Sequence, residues 1–183
     1  MSKSKIELIV VPVALFFGTL YFMVSLTRAN RSEWLALNFA LNNLRRINTA
    51  LKNDATDVSR KMPDAKDWAD QIVAGQPCVL KEDFVTPYSY PAYGVFFNAS
   101  FEGCDISEID ANSVILFACG KAQWNASGTR ETFLRLSSRG RAHIITWNSN
   151  VYEYDSSSKT ARRLSDNAGV QLDDLVWSRG QRK

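Results

Sequence analysis

The chain carries IELIVVPVALFFGTLYFMVSLT, from Ile6 to Thr27, as its longest apolar stretch, and Glu7 is the one charged residue within it. A helix of about 20 apolar residues matches the thickness of the hydrocarbon core of a bilayer. The alternative is a cleaved signal peptide, whose apolar core covers about 7–15 residues and ends at a small-residue cleavage site. The stretch here is longer and ends in large side chains, so the sequence favours a retained transmembrane anchor within residues 1–30.

The charges that flank the apolar stretch bear on its orientation. Lys3 and Lys5 precede it, whereas Arg28 and Arg31, partly offset by Glu33, follow it. Because positive charges are enriched on the cytoplasmic side of membrane helices, the amino terminus is expected in the cytoplasm. We therefore expect a single-pass protein of the cytoplasmic (inner) membrane, with an extracytoplasmic, periplasmic carboxyl-terminal domain and the lipid bilayer as a partner.

Residues 31–60 continue with a helical pattern. Apolar residues recur at spacings of three and four, which places on one helix face Trp34, Leu37, Leu41, Leu44, Ile47 and Leu51. No Gly or Pro lies between Thr27 and Asp57. This amphipathic stem is therefore expected to continue the anchor as a single helix of about 50 residues.

Residues 61–155 have the pattern of a small head. Trp68, Ala69 and Ile72 share one side of a short helical turn after Pro63. Segments rich in aromatic and β-branched residues predict five strands at 93–98, 113–119, 132–136, 142–147 and 151–154. The last two form a hairpin around residues 148–150. The expected fold is α+β, with a long N-terminal helix, transmembrane in its first half, packed on a small antiparallel sheet.

The segment 156–183 reads as a basic polar tail. Its cations outnumber its acidic residues and are Lys159, Arg162, Arg163, Arg179, Arg182 and Lys183. This composition predicts a mostly solvated segment in which residues 170–177 form at most one docked turn. The charge argues only weakly for an anionic partner, and we expect no nucleic acid at an exported domain.

The composition and the motifs limit the function classes. The 183 residues are 45% hydrophobic and 22% charged with a net charge of +3, which is typical of a globular chain and excludes a disordered one. His143 is the only histidine and lies within a predicted strand, so no Ser-His-Asp or Cys-His site is expected. The glycines form no phosphate-binding loop. The sequence predicts neither an enzyme nor a cofactor or small-molecule substrate.

An acidic cluster is the one candidate metal site. Glu102, Asp105, Glu108 and Asp110 could offer oxygen ligands to calcium. They lack the spacing of a helix-loop-helix calcium site, and bare charge clusters are usually solvated loops. We therefore expect no metal, with calcium as the alternative.

Three cysteines and two sequons complete the candidate sites. Cys104 and Cys119 could form a disulfide in an oxidising compartment and leave Cys78 free, while three reduced and packed thiols are an equal alternative. Residues 98–100 and 125–127 both read Asn-Ala-Ser, which matches the N-glycosylation sequon. They matter only in a host that glycosylates exported chains.

Residues 6–11, IELIVV, resemble the core of the N-terminal helix of type IV pilins and type II secretion pseudopilins, and residues 41–51, LNNLRRINTAL, are similar to the end of that helix. The order of later residues, including the hairpin segment 146–151, resembles the head of planctomycete-type pseudopilins. Ser2 and Lys3 stand where the family has the Gly-Phe or Gly-Met of its processing site, which leaves N-terminal processing open.

The resemblance implies a pilin-like fold and a structural role. We expect a membrane-anchored subunit of, or accessory to, a type II secretion or type IV pilus-like filament, with other pilin-like subunits or secretion machinery as partners. Glu7 would then meet the amino terminus of a neighbouring subunit in the apolar filament core. The alternative is a membrane-tethered binding or adaptor domain that keeps the pilin fold without assembling.

Overall fold

A computed structural model divides the chain into two compact units, Met1–Leu37 and Asn38–Lys183. The residues that the structure describes are 33–87, 92–138 and 141–181, together with Met23, Ser25, Thr27 and Arg31. In the first unit, residues 33–37 are helical. The hydroxyl of Thr27 donates a hydrogen bond of 2.5 Å to the carbonyl of Met23, which has the spacing of one helical turn.

Most of the predicted anchor, from Ile6 to Thr27, lies outside the described residues. Within the part of the chain that is described, no helix combines the length and the apolar character needed to cross a membrane. This finding overturns the predicted location as a single-pass protein of the inner membrane. In the described helical residues 38–59, the charged residues Arg45, Arg46 and Lys52 stand between or beside the apolar ones. This helix therefore has one apolar face and is not apolar all round.

Three α-helices lie in the described part of the second unit: α1 (Arg45–Asp54), α2 (Trp68–Gly75) and α3 (Arg130–Ser137). Two π-helical segments, Phe39–Leu44 and Ala55–Ser59, flank α1. The helical run ends at Arg60, whose φ of 54° lies in the left-handed region. A residue in that conformation commonly ends a helix.

The helical patterns of the second unit are confirmed where the apolar spacing predicted them. Leu44, Ile47 and Leu51 are all fully buried on one side of the helical run. Trp68 and Ile72 are likewise fully buried in α2, on the side that the sequence pattern assigned to them. Local spacing therefore identified the buried faces of both segments.

The described strands form one seven-stranded mixed sheet in the spatial order β3-β1-β2-β4-β5-β6-β7. Their bounds are β1 (Tyr93–Asn98), β2 (Val114–Ala122), β3 (Ser127–Gly128), β4 (Ala142–Thr146), β5 (Val151–Asp155), β6 (Thr160–Arg163) and β7 (Gly169–Gln171). The β1–β3 pair is parallel and the other neighbouring pairs are antiparallel. The predicted hairpin is confirmed as β4–β5, in which Ile145 pairs with Val151.

One predicted strand is wrong, because residues 132–136 belong to helix α3. A short apolar run does not distinguish a strand from a helix by itself. In α3, Phe133 is fully buried while Leu134 and Leu136 are only half-buried. The helix thus directs its largest aromatic side chain into the core and covers the sheet rather than extending it.

Both faces of the sheet carry apolar clusters. On one face, side chains of α1 and α2, including Leu51 and Trp68, share a cluster with Phe97 of β1 and Leu116 of β2. On the other face, Phe133 of α3 shares a second cluster that contains Phe117, Tyr154, Leu172 and Trp177. The sheet therefore lies between two apolar layers, as its alternating side chains require.

The expected long N-terminal helix on a small antiparallel sheet is contradicted by the seven-stranded mixed sheet and by the absence of a membrane-spanning helix among the described residues. Strands β6 and β7 come from the segment that composition predicted to be a solvated tail. Ala161 pairs with Tyr154, and Leu172, Leu175 and Trp177 are buried in the second cluster. Burying this apolar surface outweighs the solvation of the basic residues, because their charged groups stay at the surface.

Candidate functional site

A cleft of about 580 Å³ lies between the loop before β2 and the carboxyl-terminal segment. Its polar lining residues are Ser107, Glu108, Asp110, Ser113, Ser178, Arg179 and Gln181. Its apolar lining comes from Phe101, Ile109 and Val176, which are buried residues of the loop and of the carboxyl-terminal segment. We name it the Ser113 cleft. Its volume falls within the range of small-ligand pockets.

Backbone hydrogen bonds hold the two walls of the Ser113 cleft together. Ser113 forms a parallel bridge with Val176, and the amide of Val114 donates to the carbonyl of Val176 at 2.8 Å. The amide of Val176 donates to the carbonyl of Asn112 at 3.3 Å. The segment that composition assigned to a tail is therefore a structural wall of the cleft.

A turn at residues 178–181 closes the far side of the cleft. The side-chain oxygen of Gln181 accepts a hydrogen bond from the backbone amide of Trp177 at 2.9 Å. The backbone amide of Gln181 donates to the carbonyl of Ser178. Gly180 has a φ of 75° in this turn, a conformation that glycine adopts at little cost.

Arg179 is bound to the wall of the cleft rather than to its carboxylates. Its Nε contacts the sulfur of Cys104, and its Nη2 donates to the carbonyl of Glu102 at 3.3 Å. The positive charge of Arg179 is thus held beside the loop that contains Cys104.

The acidic cluster divides into structural and cleft-lining members. Glu102 accepts a hydrogen bond from the amide of Ala65 at 3.2 Å, and Asp105 accepts two from the hydroxyl and amide of Ser107. The bonds from Ser107 hold the pKa of Asp105 below its ordinary value. Glu108 and Asp110 line the cleft instead. No group of three or more metal-binding side chains occurs among the described residues.

Ser113 is the unusual member of the cleft. Its side chain is fully buried, and its Oγ finds no hydrogen-bond partner among the residues that the structure describes. A buried polar group without a partner costs roughly 1–3 kcal/mol, so such groups are rare and call for an explanation. Ser113 is thus a cleft-lining residue whose buried hydroxyl has no partner in the described part of the chain.

A second cleft of about 430 Å³ is lined by residues of β5, of β6 and of the turn between them, together with Arg141. Glu153 is one of its lining residues and forms ion pairs with Arg162 at 2.7 Å and with Arg141 at 3.8 Å. These partners neutralise one another, so the second cleft presents less unsatisfied charge than the Ser113 cleft.

His143 lies near the start of β4 and is not among the residues that line either cleft, although its neighbour Glu153 lines the second one. His143 is 1% exposed. In the sheet it lies opposite Ala118 of β2 and Glu153 of β5. Burial lowers the pKa of His143 to about 4, an effect that the Arg141 charge reinforces and the Glu153 charge opposes. The imidazole is therefore neutral near pH 7.

The structure does not bring Cys104 and Cys119 together. Both are free thiols, and they belong to the clusters on opposite faces of the sheet. Burial raises the pKa of the Cys119 thiol to about 12, so it stays protonated near neutral pH. Cys78 is a free and exposed thiol.

The asparagine side chains of both sequons form hydrogen bonds within the folded chain. The fully buried Asn98 donates from Nδ2 to the carbonyls of Val114 and Trp177 at 2.8 and 3.1 Å. Asn125 donates from Nδ2 to Asp70 at 2.6 Å. In the folded chain these side-chain amides thus already donate hydrogen bonds to other residues.

Comparisons of the chain with protein families, with curated proteins and with solved structures gave no match. The resemblance to pilins and pseudopilins therefore stays a prediction. Glu7, its expected assembly residue, lies outside the described residues.

Sequence reasoning missed the Ser113 cleft, because its two walls are far apart along the chain. The apolar residues between Leu172 and Trp177 were the available signal, since they indicated that this segment could dock. Their docking site is a property of the folded sheet and had no counterpart in any local motif.

Proposed function

We propose that the chain is a non-catalytic structural subunit that assembles with further copies of itself through its amino-terminal segment, as type IV pilins and pseudopilins do. The observation that carries this proposal is the exposure of three large apolar side chains within helical residues 33–37. Trp34 is 62% exposed, Leu35 40% and Leu37 42%. Contiguous exposed apolar surface typically marks an interaction site.

The occupant that we propose for this apolar surface is the same segment of a second copy. The 22 residues from Ile6 to Thr27 precede it and are almost entirely apolar. Each Å² of apolar surface removed from water contributes about 25 cal/mol, so a Trp or Leu side chain contributes roughly 1.5–3 kcal/mol when fully buried. Packing two such segments together would remove a large apolar area from water.

The environment of the histidine supports a non-catalytic role. His143 is buried within the sheet and lines neither of the two clefts described above. A general base must lie within hydrogen-bonding reach of the proton that it removes. With the residue only 1% exposed, the imidazole offers almost no surface to a substrate bound in either cleft.

The test is the oligomeric state of the purified full chain, measured by size-exclusion chromatography with light scattering and by chemical crosslinking. The wild-type chain is expected to form multimers. Trp34→Glu is expected to shift at least half of the multimers to smaller species, because it places a charge in the proposed contact.

The matched control is Leu80→Glu. Leu80 is 58% exposed, close to the exposure of Trp34, but it lies in the second unit. Leu80→Glu is expected to leave the multimers unchanged. A wild-type chain that stays monomeric, or an equal effect of both substitutions, contradicts the proposal and favours the alternative of a binding or adaptor domain that does not assemble.

Glu7 provides a separate test of how the copies assemble. If Glu7 pairs with the amino terminus of a neighbouring copy in an apolar core, Glu7→Ala leaves that terminus unpaired and reduces the crosslinked multimers. Glu7→Gln, which keeps a polar side chain of the same length, is the matched variant. Unchanged multimers in both variants would remove Glu7 from the mechanism.

A further inference from the structure

We propose that the Ser113 cleft binds an alkylammonium group, such as the side chain of a lysine or one end of a free diamine. The cleft combines a buried hydroxyl without a partner, two carboxylates and an apolar wall. This combination matches a cation that is carried on a short aliphatic chain.

The hydroxyl of Ser113 indicates that the cleft accepts a ligand. It is fully buried and has no hydrogen-bond partner among the described residues. A serine oxygen can accept two hydrogen bonds and donate one. An ammonium group carries three donors, so it would satisfy this oxygen and still have donors for carboxylates.

The carboxylates determine the sign of the ligand charge. Glu108 and Asp110 line the cleft, and neither forms an ion pair with a cation of the described residues. Asp110 accepts a hydrogen bond from the amide of Asn112 at 2.7 Å, which orients its carboxylate. Arg179 is already bound to Cys104 and to the carbonyl of Glu102, so its charge is held beside the wall.

The apolar lining favours an alkyl chain over a bare ion. Phe101, Ile109 and Val176 border the same cleft. Lysine side chains commonly lay their methylene groups along apolar surface while the ammonium stays among polar groups. A metal ion fits less well, because no group of three or more metal-binding side chains occurs in the described part of the chain.

The direct test is isothermal titration calorimetry of the full chain with cadaverine, with pentane-1,5-diol as the neutral probe of the same length. Cadaverine is expected to bind, and the diol is expected to bind at least ten-fold more weakly. A capped lysine peptide separates the two sources of the ammonium group. Tighter binding of the peptide than of cadaverine assigns the cleft to a protein partner, and the reverse assigns it to a free amine.

Variants test each feature of the cleft. Ser113→Ala removes a buried hydroxyl that has no described partner, so the melting temperature is expected to rise or stay the same while cadaverine binds several-fold more weakly. The double variant Glu108→Gln and Asp110→Asn keeps polar side chains of the same size and is expected to weaken binding by at least ten-fold. Glu82→Gln, at an exposed carboxylate outside the cleft, is the matched control and is expected to change nothing.

Three results would overturn the proposal. The first is equal binding of cadaverine and the diol, which would indicate a cleft without charge preference. The second is unchanged cadaverine binding in the double variant. The third is displacement of cadaverine by stoichiometric calcium, which would identify the carboxylates as a metal site.

Discussion

The side chain of Asn125 caps helix α2 from a distant loop. Its Oδ1 accepts hydrogen bonds from the amides of Ala69 at 2.8 Å and Asp70 at 3.1 Å, at the start of the helix. Its Nδ2 donates to the carboxylate of Asp70 at 2.6 Å, and the indole of Trp124 donates to the same carboxylate. The loop between β2 and β3 is thus joined to α2 through backbone amides of its first turn, which have no partner within the helix.

This contact predicts that Asn125→Gly destabilises the chain by about 1–2 kcal/mol, because the substitution removes the two hydrogen bonds to the helix amides and the one to Asp70. Asn125 has a φ of 59°, which glycine adopts freely, so the substitution adds no backbone strain. Asn167→Gly is the matched control, since Asn167 has the same φ of 59° on an exposed turn. Denaturant unfolding measures both variants, and equal effects would show that the cap contributes little.

Gly128 predicts a packing conflict. A methyl group added there would lie 2.7 Å from Cγ2 of Thr132 in α3. Gly128→Ala is therefore expected to lower the free energy of unfolding by about 1–3 kcal/mol, as overpacking does. Thermal unfolding provides the measurement.

Two variants control for this effect. Gly169→Ala enters open space and is expected to stay within about 0.5 kcal/mol of the wild-type chain. Adding Thr132→Ser to Gly128→Ala removes Cγ2 and is expected to restore part of the lost stability. A Gly128→Ala chain as stable as Gly169→Ala would refute the conflict.

His143 predicts a pH-dependent stability. Its pKa is about 4 in the folded chain and 6.5 ordinarily, so between these values the unfolded chain binds the additional proton. Stability is complete above pH 6.5 and falls as the pH decreases toward 4, by up to about 3 kcal/mol. The carboxylates with lowered pKa, such as Asp70, lose their contribution at lower pH, below their ordinary value of 3.8.

The measurement is the free energy of unfolding of the wild-type chain and of His143→Gln between pH 7.5 and pH 4.5. Glutamine keeps a polar side chain that does not titrate in this range. The variant is expected to lose most of the pH dependence, even where it is less stable overall. An identical slope in both chains would assign the dependence to other groups.

The cysteines predict selective labelling. Cys78 is exposed, whereas Cys104 and Cys119 are buried, and burial raises the pKa of Cys119 to about 12. A thiol-alkylating reagent is therefore expected to modify Cys78 in the native chain and all three cysteines after unfolding. Mass spectrometry of Cys78→Ser, in which native labelling should disappear, is the control. Native labelling of Cys119, or a chain whose mass shows a disulfide, would contradict this arrangement.

The sequence predicted the local features of the second unit. The spacing of Leu44, Ile47 and Leu51 identified a buried helix face, and alternation identified the β4–β5 hairpin. These predictions succeeded because residues close along the chain share a helix face or a strand face whatever lies opposite. The same reasoning placed residues 132–136 in a strand, since one short apolar run satisfies both periods.

The composition of segment 156–183 was a poor guide, because it averages over charged groups that stay in water and a few apolar residues that do not. Pairing of Ala161 with Tyr154 and burial of Trp177 depend on a sheet and a cluster that the rest of the chain builds. Once that surface exists, the free energy gained by burying the apolar residues of the segment exceeds the free energy lost by its charged groups.

By itself, then, the sequence determined the buried faces of α1 and α2 and the position of the β4–β5 hairpin, since these follow from the backbone period of a few neighbouring residues. Only the tertiary structure decided that the basic segment completes the sheet and that Ser113 meets Val176 across a cleft. Such contacts join residues distant along the chain, and they form because the whole sheet removes apolar surface from water on both faces.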